Sequence, residues 1–289
     1  MESIELNDLP RYNGWIAELL GGERQKRIKN PEQISREFGL EKWGALLSKW
    51  QEQPCGVDTV RHWECAPETR LAVWLDGKPA LMSAAEAHEH YLNVIEDALL
   101  DSPADHLIEI GCGYGSILFG LLQRGRIRYD SVLGLEYTPQ GEEMARCLAN
   151  WHGYDATIGH GDFCMETITD QETLPGSDIF TSFSFHYLHD SRSALDNLIR
   201  LRPKRVIHFE PILQHYDEQT ISGLLQRKYL EINDYNASLR TELGNLESAG
   251  KVEIIKESPL IFGKNFLLPA SMVAWRPTFS STSSSQIHE

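Results

Sequence analysis

The sequence predicts an α/β fold in which an open, mainly parallel sheet carries helices on both faces. Three observations support this fold class. An apolar segment at residues 107–110 leads into a turn with alternate glycines, Gly111, Gly113 and Gly115. Further apolar segments follow, each short enough for a buried strand and separated from the next by a helix-forming stretch. A polar residue stands at or near the end of each segment, where open parallel sheets bind ligands.

The first predicted strand ends in the glycine turn. Gly111 permits a sharp turn because it lacks a Cβ, Gly113 lets the backbone approach a ligand closely, and Gly115 lets the next helix pack on the sheet. The first N–H groups of that helix, residues 116–124, face the ligand. A dinucleotide-binding turn has its third glycine one position later, where this chain has Ser116. The spacing therefore argues against a nicotinamide dinucleotide.

Four more predicted strands follow in the order that a doubly wound sheet requires, at residues 131–137, 157–162, 178–183 and 205–210. Glu136 lies near the end of the second strand, where a carboxylate can accept both hydroxyls of a ribose. Asp162 ends the third strand and is followed by Phe163. Ser182 and Glu210 stand at the ends of the fourth and fifth strands.

Together these residues resemble the class I S-adenosylmethionine-dependent methyltransferases. The resemblance covers about residues 107–211 and rests on Glu109 with the glycine turn, on Glu136, on the tripeptide 161–163 and on the segment 182–190. It implies a seven-stranded Rossmann-like sheet, and S-adenosylmethionine as cofactor. The last two strands, predicted at 251–261 and 271–275, would then form the antiparallel hairpin that completes the sheet.

The resemblance also implies a set of cofactor-binding residues. Glu109 and the glycine turn would lie beneath the methionine part of the cofactor, and Glu136 would bind the ribose hydroxyls. Asp162 would accept from the adenine amino group beside an apolar edge supplied by Phe163. The full set comprises Glu109, Gly111, Cys112, Gly113, Glu136, Tyr137, Asp162, Phe163 and Ser182. The alternative for Glu136 and Asp162 is that they are solvated acids at strand ends.

Residues 1–104 precede the sheet and are predicted to form a helical N-terminal cap region. The candidate helices are residues 13–20, 31–38, 41–51 and 83–100. Ser83 and Glu86 form a capping box for the last of these. The resemblance suggests that this region closes over the cofactor or walls the substrate pocket. Its aromatic residues, Trp43 among them, indicate burial, which the helices' own core would also explain.

The methyltransferase domain is predicted to span residues 105–278, with a helical insert at about 212–250 and a disordered tail at 279–289, which is poor in apolar residues. The insert contains two apolar helical patterns, at 221–229 and 239–246. Because it follows the fifth strand, we interpret it as a substrate-recognition element. The predicted substrate-binding residues are Tyr187, Tyr229, Asn233, Tyr235 and Asn236. The alternative is a connection whose polar residues cap helix ends.

A methyl transfer from a sulfonium requires an aligned nucleophile and the exclusion of water, and a hydroxyl or ammonium acceptor also requires a base. The candidate bases are His186, Tyr187, His189 and Glu210. We select His186 and Glu210 as the catalytic residues because they follow the fourth strand and end the fifth. For both residues the alternative is a structural role.

Composition limits the classes of partner. The 289 residues carry a net charge of -15, which repels a phosphate backbone, so no nucleic acid is expected. The five cysteines include no Cys-x-x-Cys pair, and no carboxylate follows the fourth strand before Asp190, so no disulfide framework or metal is predicted. The chain has no apolar run of about 20 residues and an acidic start, which predicts a cytoplasmic protein without a membrane partner. Two basic clusters, 24–29 and 200–205, are expected to be solvated surface.

The predicted function is methyl transfer from S-adenosylmethionine to a small molecule, such as an amino acid or a secondary metabolite. The sequence leaves the acceptor atom open among O, N and C. A homodimer is compatible with this function. The alternatives are a transferase of the same fold that moves another group, and a methyltransferase-like scaffold or regulatory protein that binds the cofactor without catalysis.

Overall fold

A computed structural model describes residues 2–22, 26–171, 173 and 175–279. Within these ranges the strands are β1 (Glu2–Ser3), β2 (Arg70–Leu75), β3 (Lys78–Ser83), β4 (His106–Ile110), β5 (Ser131–Glu136), β6 (Thr157–His160), β7 (Asp178–Ser182), β8 (Arg205–Glu210), β9 (Val252–Phe262) and β10 (Ala270–Pro277). The helices are α1 (Gly14–Gly21), α2 (Pro31–Ile34), α3 (Gly44–Glu52), α4 (Val57–Glu64), α5 (Ala84–Leu100), α6 (Ser116–Arg124), α7 (Pro139–His152), α8 (Ser191–Arg200), α9 (Ile221–Ile232) and α10 (Leu239–Ser248).

The central sheet has seven strands in the order β6-β5-β4-β7-β8-β10-β9. The strands from β6 to β8 are mutually parallel, and β10 runs antiparallel to both β8 and β9. The carboxyl ends of the parallel strands therefore meet along one edge. The predicted fold class, its strand order and its closing antiparallel hairpin are confirmed.

Both faces of the sheet are covered because its central strands are apolar on both sides. In β4, Leu107 packs into one hydrophobic cluster, with α5, α6 and α7, whereas Ile108 and Ile110 pack into another, with α8 and α10. This pattern is typical of a parallel sheet buried between helices. The helix after the glycine turn and both helices between β8 and β9 lie close to their predicted positions.

One long helix replaces two predicted helices in the N-terminal region. Residues 31–52 are continuous because a π-helical segment, Ser35–Trp43, joins α2 to α3, and we call the whole element the cover helix. The segment contains Gly39, where a Cβ would lie 2.9 Å from the Gln140 side chain at the start of α7. Glycine therefore lets the cover helix approach α7 closely. π-Helical turns are rare and are frequent at functional sites.

The N-terminal region also contains a small sheet that the sequence analysis missed. Strands β2 and β3 form an antiparallel hairpin, and β1 pairs with β3. Asp76 and Gly77 form its turn with φ angles of 50° and 77°. An Asp-Gly pair between apolar segments is a strong hairpin signal. The expectation of a largely helical region was therefore incomplete, although the Ser83–Glu86 capping box is present with both of its hydrogen bonds.

The expectation that both basic clusters are solvated is wrong at two positions. The Lys29 side chain is 1% exposed and pairs with Glu37. Arg205 is buried, forms two hydrogen bonds of 2.9 Å to Asp178, and donates to carbonyl groups at the carboxyl end of α5. Arg205 thereby joins β8 to β7 and to the end of α5. Arg24 and most of the predicted disordered tail, 280–289, lie outside the described residues.

Candidate functional site

A cavity of about 330 Å³ lies at the carboxyl ends of β4, β5, β6 and β7. This is the edge at which open parallel sheets bind ligands. Seven of the predicted cofactor- and substrate-binding residues line it: Gly111, Gly113, Glu136, Tyr137, Asp162, Phe163 and Tyr187. The structure thus brings together residues from four separate turns of the chain.

The glycine turn forms one wall of this cavity. Gly111, Gly113 and Gly115 have φ angles of 81°, 57° and 86°, which favour glycine. A Cβ at Gly115 would lie 2.2 Å from the Phe119 ring of α6, so this glycine does permit the helix to pack. A Cβ at Gly113 would lie 3.1 Å from the Trp43 ring. The space beside Gly113 is therefore occupied, in part, by the Trp43 side chain of the cover helix.

Glu136 connects this turn to the end of β5. Its Oε2 accepts from the backbone N–H of Gly113 at 2.9 Å, and its Oε1 accepts from the backbone N–H and the hydroxyl of Thr138 at 3.0 and 2.6 Å. Burial raises the pKa of the Glu136 carboxyl, and these hydrogen bonds oppose that rise. The acid is neither solvated nor free, so its surroundings contradict the alternative of a solvated strand end.

Glu109 and Cys112 lie beneath the turn and do not line the cavity. Glu109 is 2% exposed, and its Oε2 has no hydrogen-bond partner among the described residues. Burial raises the pKa of its carboxyl to about 8, while a hydrogen bond from the Leu118 N–H of α6 lowers it and the nearby Glu136 raises it further. Burial also raises the pKa of the Cys112 thiol well above its usual range.

The far end of the cavity is formed by residues after β6. Asp162 is partly exposed, and its Oδ1 accepts from the N–H of Cys164 at 2.8 Å. Phe163 is buried against Phe185, with ring centroids 5.4 Å apart. A carboxylate beside an apolar ring can accept from a polar edge of a flat ligand while the ring packs on its face.

The cover helix supplies an apolar wall opposite the sheet edge, through Pro31, Ile34, Phe38 and Trp43. Phe38 packs edge-on against Tyr187, with centroids 4.9 Å apart, and Trp43 packs similarly against Tyr114, at 5.2 Å. The N-terminal region therefore walls the cavity. Whether it moves as a lid stays a prediction.

His186 and Glu210, the predicted catalytic pair, lie behind the cavity wall. Glu210 accepts from the N–H groups of Ser184 and Phe185, both at 2.9 Å, and from His186 Nδ1 at 3.0 Å. Burial tends to raise the pKa of the Glu210 carboxyl, but the hydrogen bonds from His186 and the backbone outweigh burial and keep the pKa below its usual range. His186 Nε2 is buried without a partner in the described part of the chain. Their catalytic roles stay predictions.

Only Tyr187 of the predicted substrate-binding residues lines the cavity. Tyr235 packs edge-on against Tyr187, with centroids 5.3 Å apart, and Tyr229 packs against Tyr235 behind it. Asn233 donates to the Tyr229 carbonyl near the end of α9, and Asn236 donates to the Leu188 carbonyl. The insert thus supports the wall from behind. These bonds agree with the alternative of a capping and connecting role for the two asparagines.

Ser182 also lies outside the cavity, where its hydroxyl is 2.9 Å from that of Tyr91 on α5. In contrast, Thr138, Ser184 and Leu188 line the cavity and were missed as site residues. The sequence did carry a signal for Thr138, because a threonine before a proline is typical of a helix start, and Pro139 begins α7. His189, considered only as a base, lines the cavity too.

The described residues contain neither a metal-binding cluster nor a membrane-spanning helix. No group of three His, Cys, Asp or Glu side chains in the described ranges could bind a metal ion. Across the same part of the chain, every helix is too short or too polar to cross a membrane.

Comparisons with known proteins add to this geometry. Neither a family model nor a curated protein sequence matches the chain. Among solved structures it is similar to the [4+2]-cyclase SpnF, with a TM-score of 0.55 and 14% identity over 88% of this chain and 98% of that one. It is also similar to the small RNA methyltransferase HEN1, with a TM-score of 0.50 and 15% identity over 70% of this chain, but it covers only 27% of HEN1. With its strand order, these similarities show that the chain has the class I S-adenosylmethionine-dependent methyltransferase fold.

Proposed function

We propose that this protein transfers the methyl group of S-adenosylmethionine to a small-molecule acceptor. The observation that carries the proposal is the convergence of Gly113, Glu136 and Asp162 on one cavity at the carboxyl edge of the sheet. Two carboxylates and a glycine turn at this edge match the polar groups of an adenosine joined to an amino acid, as in S-adenosylmethionine.

The donors and acceptors at the site fit this cofactor. An ionised carboxylate has about four acceptor sites, and Glu136 uses three of them for Gly113 and Thr138. Because the Tyr137 N–H also acts on this carboxyl, Glu136 can accept from a ribose hydroxyl if the Thr138 hydroxyl turns away. Asp162 can accept from an adenine amino group, with Phe163 and Leu188 as apolar surfaces beside the ring.

When bound, the cofactor supplies an electrophilic methyl group on a sulfonium. The chain's own residues exclude water and orient the acceptor, which the apolar side chains of Phe38, Trp43 and Tyr187 can do. Glu210 keeps the segment with Ser184 and Tyr187 in place through its backbone hydrogen bonds. We therefore propose that the Glu210–His186 pair supports catalysis indirectly, by holding the segment with Ser184 and Tyr187 in position.

A small acceptor suits this site better than a nucleic acid. The cavity wall made by Pro31, Ile34 and Phe38 is apolar, and the net charge of -15 disfavours a polyanion. The methyltransferase HEN1 is named for small RNA, but this chain covers 27% of it. An apolar or aromatic small molecule is the acceptor class that this wall favours.

The first experiment is calorimetric titration with S-adenosylmethionine, S-adenosylhomocysteine and NADH. We expect micromolar binding of the two adenosyl compounds and none of NADH. The variant Glu136→Gln should bind both adenosyl compounds more weakly, whereas Glu52→Gln, a change of an exposed acid on α3, should bind them normally. If the wild-type protein bound neither adenosyl compound, the proposal would be wrong.

A second candidate is a reaction in this cavity that moves no methyl group. It is supported by the similarity to SpnF, which is named as a [4+2]-cyclase and matches almost along its full length. Incubation with candidate acceptors distinguishes the two by mass spectrometry. Methyl transfer would produce S-adenosylhomocysteine and a product about 14 Da heavier than the acceptor, the mass of one CH₂ unit. A product with the same mass as the acceptor supports the second candidate.

A further inference from the structure

A cluster of charged side chains lies outside the cavity, between α4, α5 and the turn that joins β9 to β10. It comprises Arg61, Glu64, His88 and Lys264, with Lys42 of the cover helix beside them. None of these five is among the cavity-lining residues. At its centre His88 is 2% exposed, with Nε2 2.9 Å from Arg61 Nη1 and Nδ1 3.1 Å from Lys264 Nζ.

The chemistry of the three groups determines where the protons lie. A guanidinium only donates hydrogen bonds, so His88 Nε2 must accept from Arg61. A neutral imidazole then carries its proton on Nδ1 and donates it to Lys264. Burial, with Lys264 and Arg61 adding to it, lowers the pKa of His88 to about 2, so the imidazole is neutral at physiological pH.

An ammonium has no lone pair, so Lys264 can accept from His88 only as a neutral amine. We propose that the Arg61–His88 pair favours the neutral, nucleophilic form of the Lys264 amine, and that this form binds carbon dioxide as a carbamate. Lys264 is partly exposed as a residue, and its Nζ points inward to His88.

The other groups that face Lys264 act in both directions, and the lowering effects prevail. Burial lowers the pKa of the Lys264 amine to about 8, Arg61 and Lys42 lower it further, and Glu64 and Cys65 oppose them. Its Nζ also lies 5.3 Å from the centre of the Tyr91 ring. Relative to an ordinary lysine, the neutral fraction at pH 7 is larger by on the order of 100-fold.

The reaction that forms the carbamate balances, and the carbamate suits its surroundings. The Nζ lone pair forms a bond to the carbon of CO₂, one C=O bonding pair moves to oxygen, and an Nζ proton passes to solvent. The product carries a negative charge, to which Arg61, Lys42 and the Nδ1–H of His88 can each be a counter-charge or donor, in competition with Asp58 and Glu64, the present partners of the two cations. An imine formed with an aldehyde would be neutral or cationic and would gain nothing from these cations. The site therefore favours carbon dioxide over other small carbonyl compounds.

The test is ¹³C NMR of the full chain in ¹³C-labelled bicarbonate at about pH 8. We expect a carbamate resonance that is lost in Lys264→Met and kept in Lys78→Met, a matched change of an exposed lysine. The terminal amine adds a background signal common to all three proteins. If the spectra of the two variants match, carbamate formation at Lys264 is refuted.

A second measurement needs no variant. Trace acylation of the wild-type protein across pH, quantified by peptide mass spectrometry, reports the neutral fraction of each lysine. Lys264 should react with a midpoint near pH 8. A midpoint near 10, as for an ordinary lysine, would show that Lys264 loses its proton no more easily than other lysines and would overturn the proposal.

Discussion

Glu109 gives a quantitative prediction about stability and pH that does not depend on the proposed function. Its buried carboxyl has a folded-state pKa of about 8, against 4.5 for an ordinary glutamic acid. Between these values the folded protein binds one proton that the unfolded chain does not bind. The free energy of unfolding therefore falls as pH rises, by about 1.4 kcal/mol per pH unit for this one group.

The variant Glu109→Gln keeps an acceptor for the Leu118 N–H and removes the titration. Urea unfolding of the ligand-free proteins at pH 5, 6 and 7 measures the effect. Relative to Glu109→Gln, the wild-type protein should lose about 2–3 kcal/mol between pH 5 and pH 7. His88 has a lowered pKa and acts with the opposite sign, but it is common to both proteins and cancels in the comparison.

Glu52→Gln, a change of an exposed acid, serves as the control and should follow the wild-type pH dependence. If the wild-type protein and Glu109→Gln had parallel stability curves, Glu109 would be ionised in the folded state. Burial beneath the glycine turn would then not raise the pKa of the Glu109 carboxyl.

Three further predictions follow from the site and the core. Glu136→Gln can keep both bonds to Thr138, but it places an amide NH₂ against the Gly113 N–H. The free energy of cofactor binding and the free energy of unfolding should therefore each weaken by about 1.5–3 kcal/mol. Normal affinity in calorimetry would mean that the ribose binds elsewhere. Gly113→Val adds a branched side chain at φ +57° beside the Trp43 ring, so it should lose cofactor binding and about 1–3 kcal/mol of stability while circular dichroism still shows a folded protein. Arg205→Met leaves the buried Asp178 carboxylate without its cation and should lower the free energy of unfolding in urea by about 3–5 kcal/mol. Arg202→Met changes an exposed arginine and should lower it by almost nothing. Equal unfolding midpoints for the two variants would contradict the burial of this ion pair.

The parts of the fold that could be predicted from sequence are those with local signals. The glycine turn, the apolar strands and the Ser83 capping box are each contained within a few residues. Strand order followed because short parallel strands joined by helices have few allowed arrangements. The Asp76-Gly77 hairpin was equally local, and it was missed because the surrounding region was interpreted as helical.

The site was harder to predict because its walls come from distant segments. Trp43 packs on Gly113 across 70 positions of sequence, and nothing near either residue specifies the other. Similarly, Glu210 lies at the expected strand end, but its hydrogen bonds to the backbone of residues 184–186 depend on how two adjacent strands terminate. Residue type and position along a strand predicted which edge is functional. They did not predict which side chains face the cavity.

The contacts of the cover helix have a consequence for how the protein assembles during synthesis. The segment just before this helix is joined to the end of α9, since the Arg27 N–H donates to the Ile232 carbonyl and the Lys29 N–H donates to Asp234. The ribosome must therefore add about two hundred residues before the segment that leads into the cover helix has its partners. Within the cover helix, Phe38 lacks its partner until Tyr187 has been added, and such an exposed apolar side chain is a candidate for chaperone binding. A ligand of the cavity would bind only the completed fold, so it would stabilise contacts between both halves of the chain at once.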